Sequence, residues 1–133
     1  MDDQELWQRA VAARETAYAP YSNFRVGAAL RTADGSIVAG ANVENASYSL
    51  GCCAERTAVY AAAAQGYREF VRIVVVGPGP DLIAPCGGCR QVLAEFGDVE
   101  VVMAHAQGLA GARVMRMSEL LPASFSKEDL GGV

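Results

Sequence analysis

The segments Cys53-Ala54-Glu55 and Pro85-Cys86-Gly87-Gly88-Cys89 constrain this chain more than any other feature. Each opens a stretch with helical character. Cys53 begins the Ala-rich run 53–65, which Gly66 stops, and Cys86 begins 86–96. Cysteines at i and i+3 share one helix face, so Cys86 and Cys89 can aim both sulfurs at one point. For Cys53 to join them, the fold must bring two helix N-termini together. Helix N-termini favour thiolate over thiol, because their free N–H groups and dipole stabilise negative charge.

Three thiolates at one point suit a zinc ion with its fourth tetrahedral position open, the arrangement that acidifies a bound water. Glu55, two residues after Cys53, is placed to exchange protons with that water and with a leaving amine. Three thiolates and one zinc sum to a net negative charge, and electron-rich sulfur weakens the metal as a Lewis acid. Arg56 follows Glu55, and a guanidinium donating to sulfur would restore that acidity. Other readings stand beside this one. A lone C-x-x-C can be a redox dithiol, Glu55 a solvated first-turn glutamate and Arg56 a surface arginine. Cys52 reads as a structural thiol. His105, the only histidine, reads as a surface or capping residue.

Composition narrows the function classes. The net charge is −4 and no Lys/Arg run occurs, which argues against DNA, RNA and anionic membranes as partners. No stretch of eighteen uninterrupted apolar residues is present, and Met1-Asp2-Asp3-Gln4-Glu5 lacks the layout of a signal peptide. The expectation is a cytoplasmic protein without membrane contact. There, four cysteines with two adjacent point to metal or catalysis rather than to disulfides. At 133 residues, 52 % of them apolar, the chain is expected to form one domain, 1–133, with a real core.

Along the chain, the spacing of Leu6, Ala10, Val11, Ala13 and Ala17 predicts a helix over 3–18. Strands are expected over 24–32 and 37–43, joined by a turn at Ala33-Asp34-Gly35-Ser36, with a loop over 44–50. A buried strand is expected over 71–76, a Gly/Pro-rich loop over 77–85 and a strand over 99–104. A helical turn is expected over 118–121 and a capping sequence at Ser126-Lys127-Glu128-Asp129. The order implies a three-layer α/β architecture with a mixed sheet. Four strands are placed in this way, and no element is assigned to residues 105–117.

Together these motifs resemble the small homotetrameric zinc-dependent cytidine deaminases, the branch whose zinc ligands are all cysteines. The resemblance runs from Ala17-Tyr18-Ala19-Pro20-Tyr21-Ser22-Asn23-Phe24 through Asn42-Val43-Glu44-Asn45-Ala46-Ser47-Tyr48 and Cys53-Ala54-Glu55-Arg56-Thr57. It continues through Pro85-Cys86-Gly87-Gly88-Cys89-Arg90-Gln91 to Leu120-Leu121-Pro122-Ala123-Ser124-Phe125. It implies an α/β/α fold with a mixed five-stranded sheet, Cys53, Cys86 and Cys89 as zinc ligands and Glu55 as the acid/base. It also implies that Phe24 packs on the pyrimidine, that Asn42 and Glu44 bind the ribose hydroxyls, and that the Ala54 N–H holds the base carbonyl. Ala46, Tyr48 and Phe125 would reach a neighbouring subunit's site in a homotetramer.

The implied reaction is hydrolytic deamination of free cytidine and deoxycytidine with release of ammonia, a step of pyrimidine salvage. A blasticidin-type aminonucleoside deaminase is the alternative on the same fold. Gly88 departs from the pattern, standing where relatives often carry Ala or Arg.

Overall fold

The computed structural model describes residues 3–131. In chain order its elements are α1 (Asp3–Arg14), β1 (Gly27–Thr32), β2 (Ile37–Ala41), a 3-10 turn (Tyr48–Leu50), α2 (Ala54–Ala64), β3 (Phe70–Val76), α3 (Gly87–Ala94), β4 (Glu100–His105), β5 (Gly108–Arg116), α4 (Met117–Leu120) and a final 3-10 turn (Lys127–Leu130).

The five strands form one mixed sheet in the order β2-β1-β3-β4-β5. The β3–β4 pair is parallel and the other neighbours are antiparallel. The parallel pair exists because α3 carries the chain across the sheet between them. Side-chain alternation sends successive residues to opposite faces. Leu30, Ile73, Val75 and Val101 face a core that contains Ala58, Val59 and Leu93 of α2 and α3. Ala29, Val74, Val76 and Val102 face a second core with Leu6 and Ala10 of α1. The result is the expected three layers, with α1 on one face and α2 and α3 on the other.

Glycine lets both helices lie directly on the sheet. A Cβ on Gly27 would stand 2.0 Å from the Ala10 carbonyl oxygen, and one on Gly40 would stand 2.5 Å from the Ala58 nitrogen. Neither position has room for any side chain.

Several boundaries differ from the sequence expectations. The first helix stops at Arg14 rather than running to residue 18. The Thr16 hydroxyl bonds back to the Ala13 carbonyl at 2.7 Å, and the Tyr18 N–H then leaves for the Asn42 carbonyl at 2.9 Å. The strand expected from residue 24 begins at Gly27: the Phe24 carbonyl and the Val26 N–H bond to the Asn42 side chain, and the Val26 carbonyl alone takes a backbone N–H, that of Asn42 at 3.3 Å. The strand expected to reach residue 43 ends at Ala41, and Val43 makes isolated bridges to Tyr18 and Cys52. Cys53 and Cys86 are N-cap residues, one position outside their helices. At the tail, the Asp129 carboxylate accepts from the Ser126 N–H at 2.8 Å, as the capping sequence predicted.

The unassigned stretch 105–117 supplies the fifth strand. Only one side of β5 is paired, no residue in it is fully buried, and Gly111 adopts φ 81° within it. His105 lies at the end of β4 with its carbonyl accepting from the Trp7 indole at 2.8 Å. It is on the α1 side of the sheet's rim and takes no part in the thiol cluster.

Candidate active site

The two helices that bury their apolar faces on the sheet start at one place. Cys53 precedes α2 and Cys86 precedes α3, and the Sγ atoms lie 3.8 Å apart. Cys89, one turn into α3 and fully buried, brings its sulfur to 3.5 Å from that of Cys86. All three sulfurs lie within 4.8 Å of one another, the one such cluster of potential metal ligands among the described residues.

Zinc–sulfur bonds of about 2.3 Å in a tetrahedron put sulfurs about 3.8 Å apart, so the spacing fits a zinc ion. Arg56 strengthens the fit. Its Nη2 donates to Cys53 Sγ at 3.3 Å, while its Nε is buried without a partner beside the thiols. A cation is thus held against sulfur, as a thiolate-rich centre requires. Cys52 points elsewhere: its backbone pairs with Val43, and its sulfur is not part of the cluster.

Charge at this cluster is set by proximity. Hydrogen bonds from Cys89 and Arg56, together with the Arg56 charge, pull the Cys53 thiol down to about 5. Cys89, the donor of that pair, is pushed well above the ordinary thiol range. The guanidinium of Arg56 is held even more firmly protonated, chiefly by its bond to Cys53. Glu55 is 4 % exposed, and this burial raises its carboxyl to about 7, with the neighbouring Cys53 thiolate adding to the effect. A carboxyl poised there can take and return protons near neutrality.

A cavity of about 450 Å³ opens onto the cluster, lined by Phe24, Asn42, Cys53, Ala54, Glu55 and Cys86 together with Val26, Ile83 and Ala84. Its size suits a small heterocycle with a sugar. Ala54 is the first residue of α2, so its N–H belongs to the helix's unpaired first turn. Asn42 is occupied as a clamp. Its Oδ1 accepts from the Val26 N–H at 2.8 Å and its Nδ2 donates to the Phe24 carbonyl at 2.8 Å.

Four of the expected substrate-binding residues lie outside this cavity. Glu44 and Tyr48 line an adjoining hollow of about 280 Å³ with Tyr21 and Ser22. Ala46 is exposed on the loop between them. Phe125, 60 % exposed, lies over α3, where its carbonyl accepts from the Gln91 side chain at 2.8 Å.

The zinc-binding region of cytidine and deoxycytidylate deaminases matches residues 1–105. The chain belongs to this deaminase family. It is 49 % identical to the cytidine deaminase of Halalkalibacterium halodurans over 132 residues, 98 % of each chain. The crystal structure of the Burkholderia pseudomallei cytidine deaminase superposes with a TM-score of 0.88 at 54 % identity, covering 94 % of this chain and all of that one. The Mycobacterium tuberculosis cytidine deaminase superposes at 0.80 with 40 % identity, covering 94 % and 98 %. Membership in a zinc-binding deaminase family agrees with the donor set, and it disposes of the redox-dithiol reading of Cys86 and Cys89.

Ile83, Ala84 and Val26 were missed in the sequence although they flank recognised motifs. Single apolar residues in a loop carry no signal of their own until the loop is seen to fold over the cluster. Ile83 is held there because its side chain packs against Gly77, where a Cβ would lie 3.0 Å from it. Among the described residues, no helix is long and apolar enough to cross a membrane.

Proposed function

We propose that this deaminase-family chain hydrolyses the exocyclic amine of free cytidine and deoxycytidine, yielding uridine or deoxyuridine and ammonia. The observation that carries this reading is the burial of Glu55 in one cavity with the sulfurs of a zinc-sized thiol cluster. Cys53, Cys86 and Cys89 would hold the ion. When bound, zinc supplies the Lewis acidity that makes water a competent nucleophile near neutral pH.

Glu55 does the proton work. It accepts a proton from the attacking water as oxygen adds to C4, and delivers it to N3. It then takes the proton of the new hydroxyl and gives it to the amine, so that the C4–N bond breaks and ammonia departs. Burial near neutrality suits a group that must act in both directions. Phe24 supplies an apolar platform for the base and the Ala54 N–H a donor for its carbonyl. Asn42 and Glu44 face the ribose, where the Glu44 carboxylate grips the 3′-hydroxyl and repels phosphate, favouring nucleosides over nucleotides. The relatives described above carry the cytidine deaminase name, which favours the ordinary nucleoside over an aminonucleoside.

The chain is taken as a single domain over 1–133, working in the cytoplasm in pyrimidine salvage. It is taken as a homotetramer in which Ala46, Tyr48 and Phe125 reach a neighbour's site. Support comes from large apolar side chains left in water, Tyr48 at 79 % and Phe125 at 60 %. The test is ammonia release from cytidine, deoxycytidine and cytidine 5′-monophosphate, with zinc measured on the same sample. Zinc-loaded protein that releases no ammonia from either nucleoside would refute the reading.

A further inference from the structure

Ser22 lines the hollow that holds Glu44 and bonds both to Glu44 and to Phe24, which lines the cavity over the thiols. The Ser22 hydroxyl contacts the Glu44 carboxylate at Oε2. It also accepts from the Phe24 N–H at 3.0 Å. Because Phe24 must be the donor there, the single Ser22 hydroxyl proton is left for Glu44.

The other Glu44 oxygen, Oε1, accepts from the N–H groups of Tyr21 at 3.0 Å and Ser22 at 3.2 Å. That fills the two acceptor sites of Oε1. Oε2, with Ser22 on one side, keeps one acceptor site for one further donor. On the Phe24 side, the Ser22 hydroxyl holds the N–H while Asn42 holds the carbonyl. Asn23, between Ser22 and Phe24, sits at φ 58°, a conformation asparagine tolerates and most residues resist.

We propose that Ser22 is a positioning residue that registers the sugar-binding carboxylate of Glu44 against the aromatic platform of Phe24. The proposal rests on the reading of Glu44 as a ribose contact and Phe24 as the base contact. Ser22 acts through Glu44 and Phe24. By fixing which acceptor site of Glu44 stays open, it keeps the sugar-binding carboxylate in register with the base platform before the nucleoside arrives. Losing that register costs ground-state binding and removes no reacting group.

The test compares Ser22→Ala with Ser22→Thr, which keeps the hydroxyl, on cytidine and on 3′-deoxycytidine, with zinc content as the check that the site is assembled. On cytidine, Ser22→Ala is expected to raise KM by about 3- to 10-fold, the loss of one or two ordinary hydrogen bonds, with kcat little changed. Ser22→Thr should return KM toward the wild-type value. On 3′-deoxycytidine the Ser22→Ala effect should shrink, since the hydroxyl that Glu44 would bind is gone. An unchanged KM on cytidine, or an increase of equal size on both substrates, would overturn the role of Ser22. A wild-type enzyme that treats the two nucleosides alike would instead overturn the ribose reading of Glu44, and this inference with it.

Discussion

The Arg56 guanidinium donates to the Cys53 sulfur across 3.3 Å, within the first turn of the helix that also carries Glu55. Removing that donor leaves a thiolate-rich centre with excess negative charge. Arg56→Ala is expected to lower activity or zinc affinity by about 10- to 100-fold, the usual cost of losing a partner of a metal ligand. Steady-state rates beside a zinc-competition titration check this. Unchanged values in both would make Arg56 an ordinary surface arginine.

Glu55 is the proton carrier of the proposed reaction, and Gln at this position keeps its shape without its acidity. Glu55→Gln should retain zinc and lose about 10²- to 10⁴-fold in kcat. The measurement is turnover on protein of known metal content. Near-normal turnover by zinc-loaded Glu55→Gln would remove it from the mechanism.

Zinc should be present at one ion per chain, and its removal should be felt in the fold as well as in the rate. The thiols lie at the ends of two helices that pack on the same sheet face, so the ion ties α2 to α3. Chelation is expected to abolish activity and lower the thermal midpoint, with both restored by added zinc. Because the ligands bind as thiolates, zinc should also be released as pH falls. Retention of full activity in metal-free protein contradicts the assignment.

Phe125→Ala tests the assembly. An exposed aromatic that caps a neighbour's pocket should raise KM for the nucleoside when truncated and leave zinc in place. Light scattering should give the mass of a tetramer, and dilution should reduce mass and activity together. A fully active monomer with a silent Phe125→Ala variant would refute the shared site.

Two glycines should respond in opposite ways. Gly40→Ala puts a methyl 2.5 Å from the Ala58 nitrogen and 3.0 Å from the Ala54 carbonyl, so α2 must move off the sheet. A loss of about 1–3 kcal/mol is expected, with weaker zinc binding because Cys53 moves too. Gly88→Ala meets nothing within 4 Å inside α3. It should gain about 0.5–1 kcal/mol from helix propensity and leave zinc bound. Denaturant midpoints of the two variants decide both points.

What could be read in the sequence was what chemistry dictates locally. The i, i+3 cysteines, the Ala-rich helix and the β-branched run 71–76 each carry a period or a spacing, and the structure has them within a few residues. The edge strand β5 was unreadable because an edge needs no apolar alternation. Its pattern is half-exposed throughout and interrupted by Gly111. Residues 24–26 looked like strand because Phe24 and Val26 alternate with Arg25, yet the Asn42 side chain takes the Phe24 carbonyl and the Val26 N–H that a partner strand would bond. The bonds from Ser22 to Glu44 and Phe24 were invisible for a similar reason: a serine in a turn has many possible partners, and only the folded loop selects these.

Neither N-cap cysteine uses its side chain to cap the first-turn N–H groups of its helix. Cys53 and Cys86 occupy positions where Ser, Asp or Asn would fold back onto the first-turn N–H groups, and their sulfurs turn outward to a common point instead. In metal-free protein, selection for heat resistance alone would therefore move against this protein's function. Replacing either cysteine by aspartate should give a better-stabilised helix, by roughly 0.5–2 kcal/mol in metal-free protein, and a dead enzyme. A thermostability screen run on metal-free protein without an activity readout is expected to enrich such substitutions, whereas in zinc-loaded protein losing the ion costs more than the cap returns, so a directed-evolution scheme for this chain has to keep zinc present or hold residues 53 and 86 fixed.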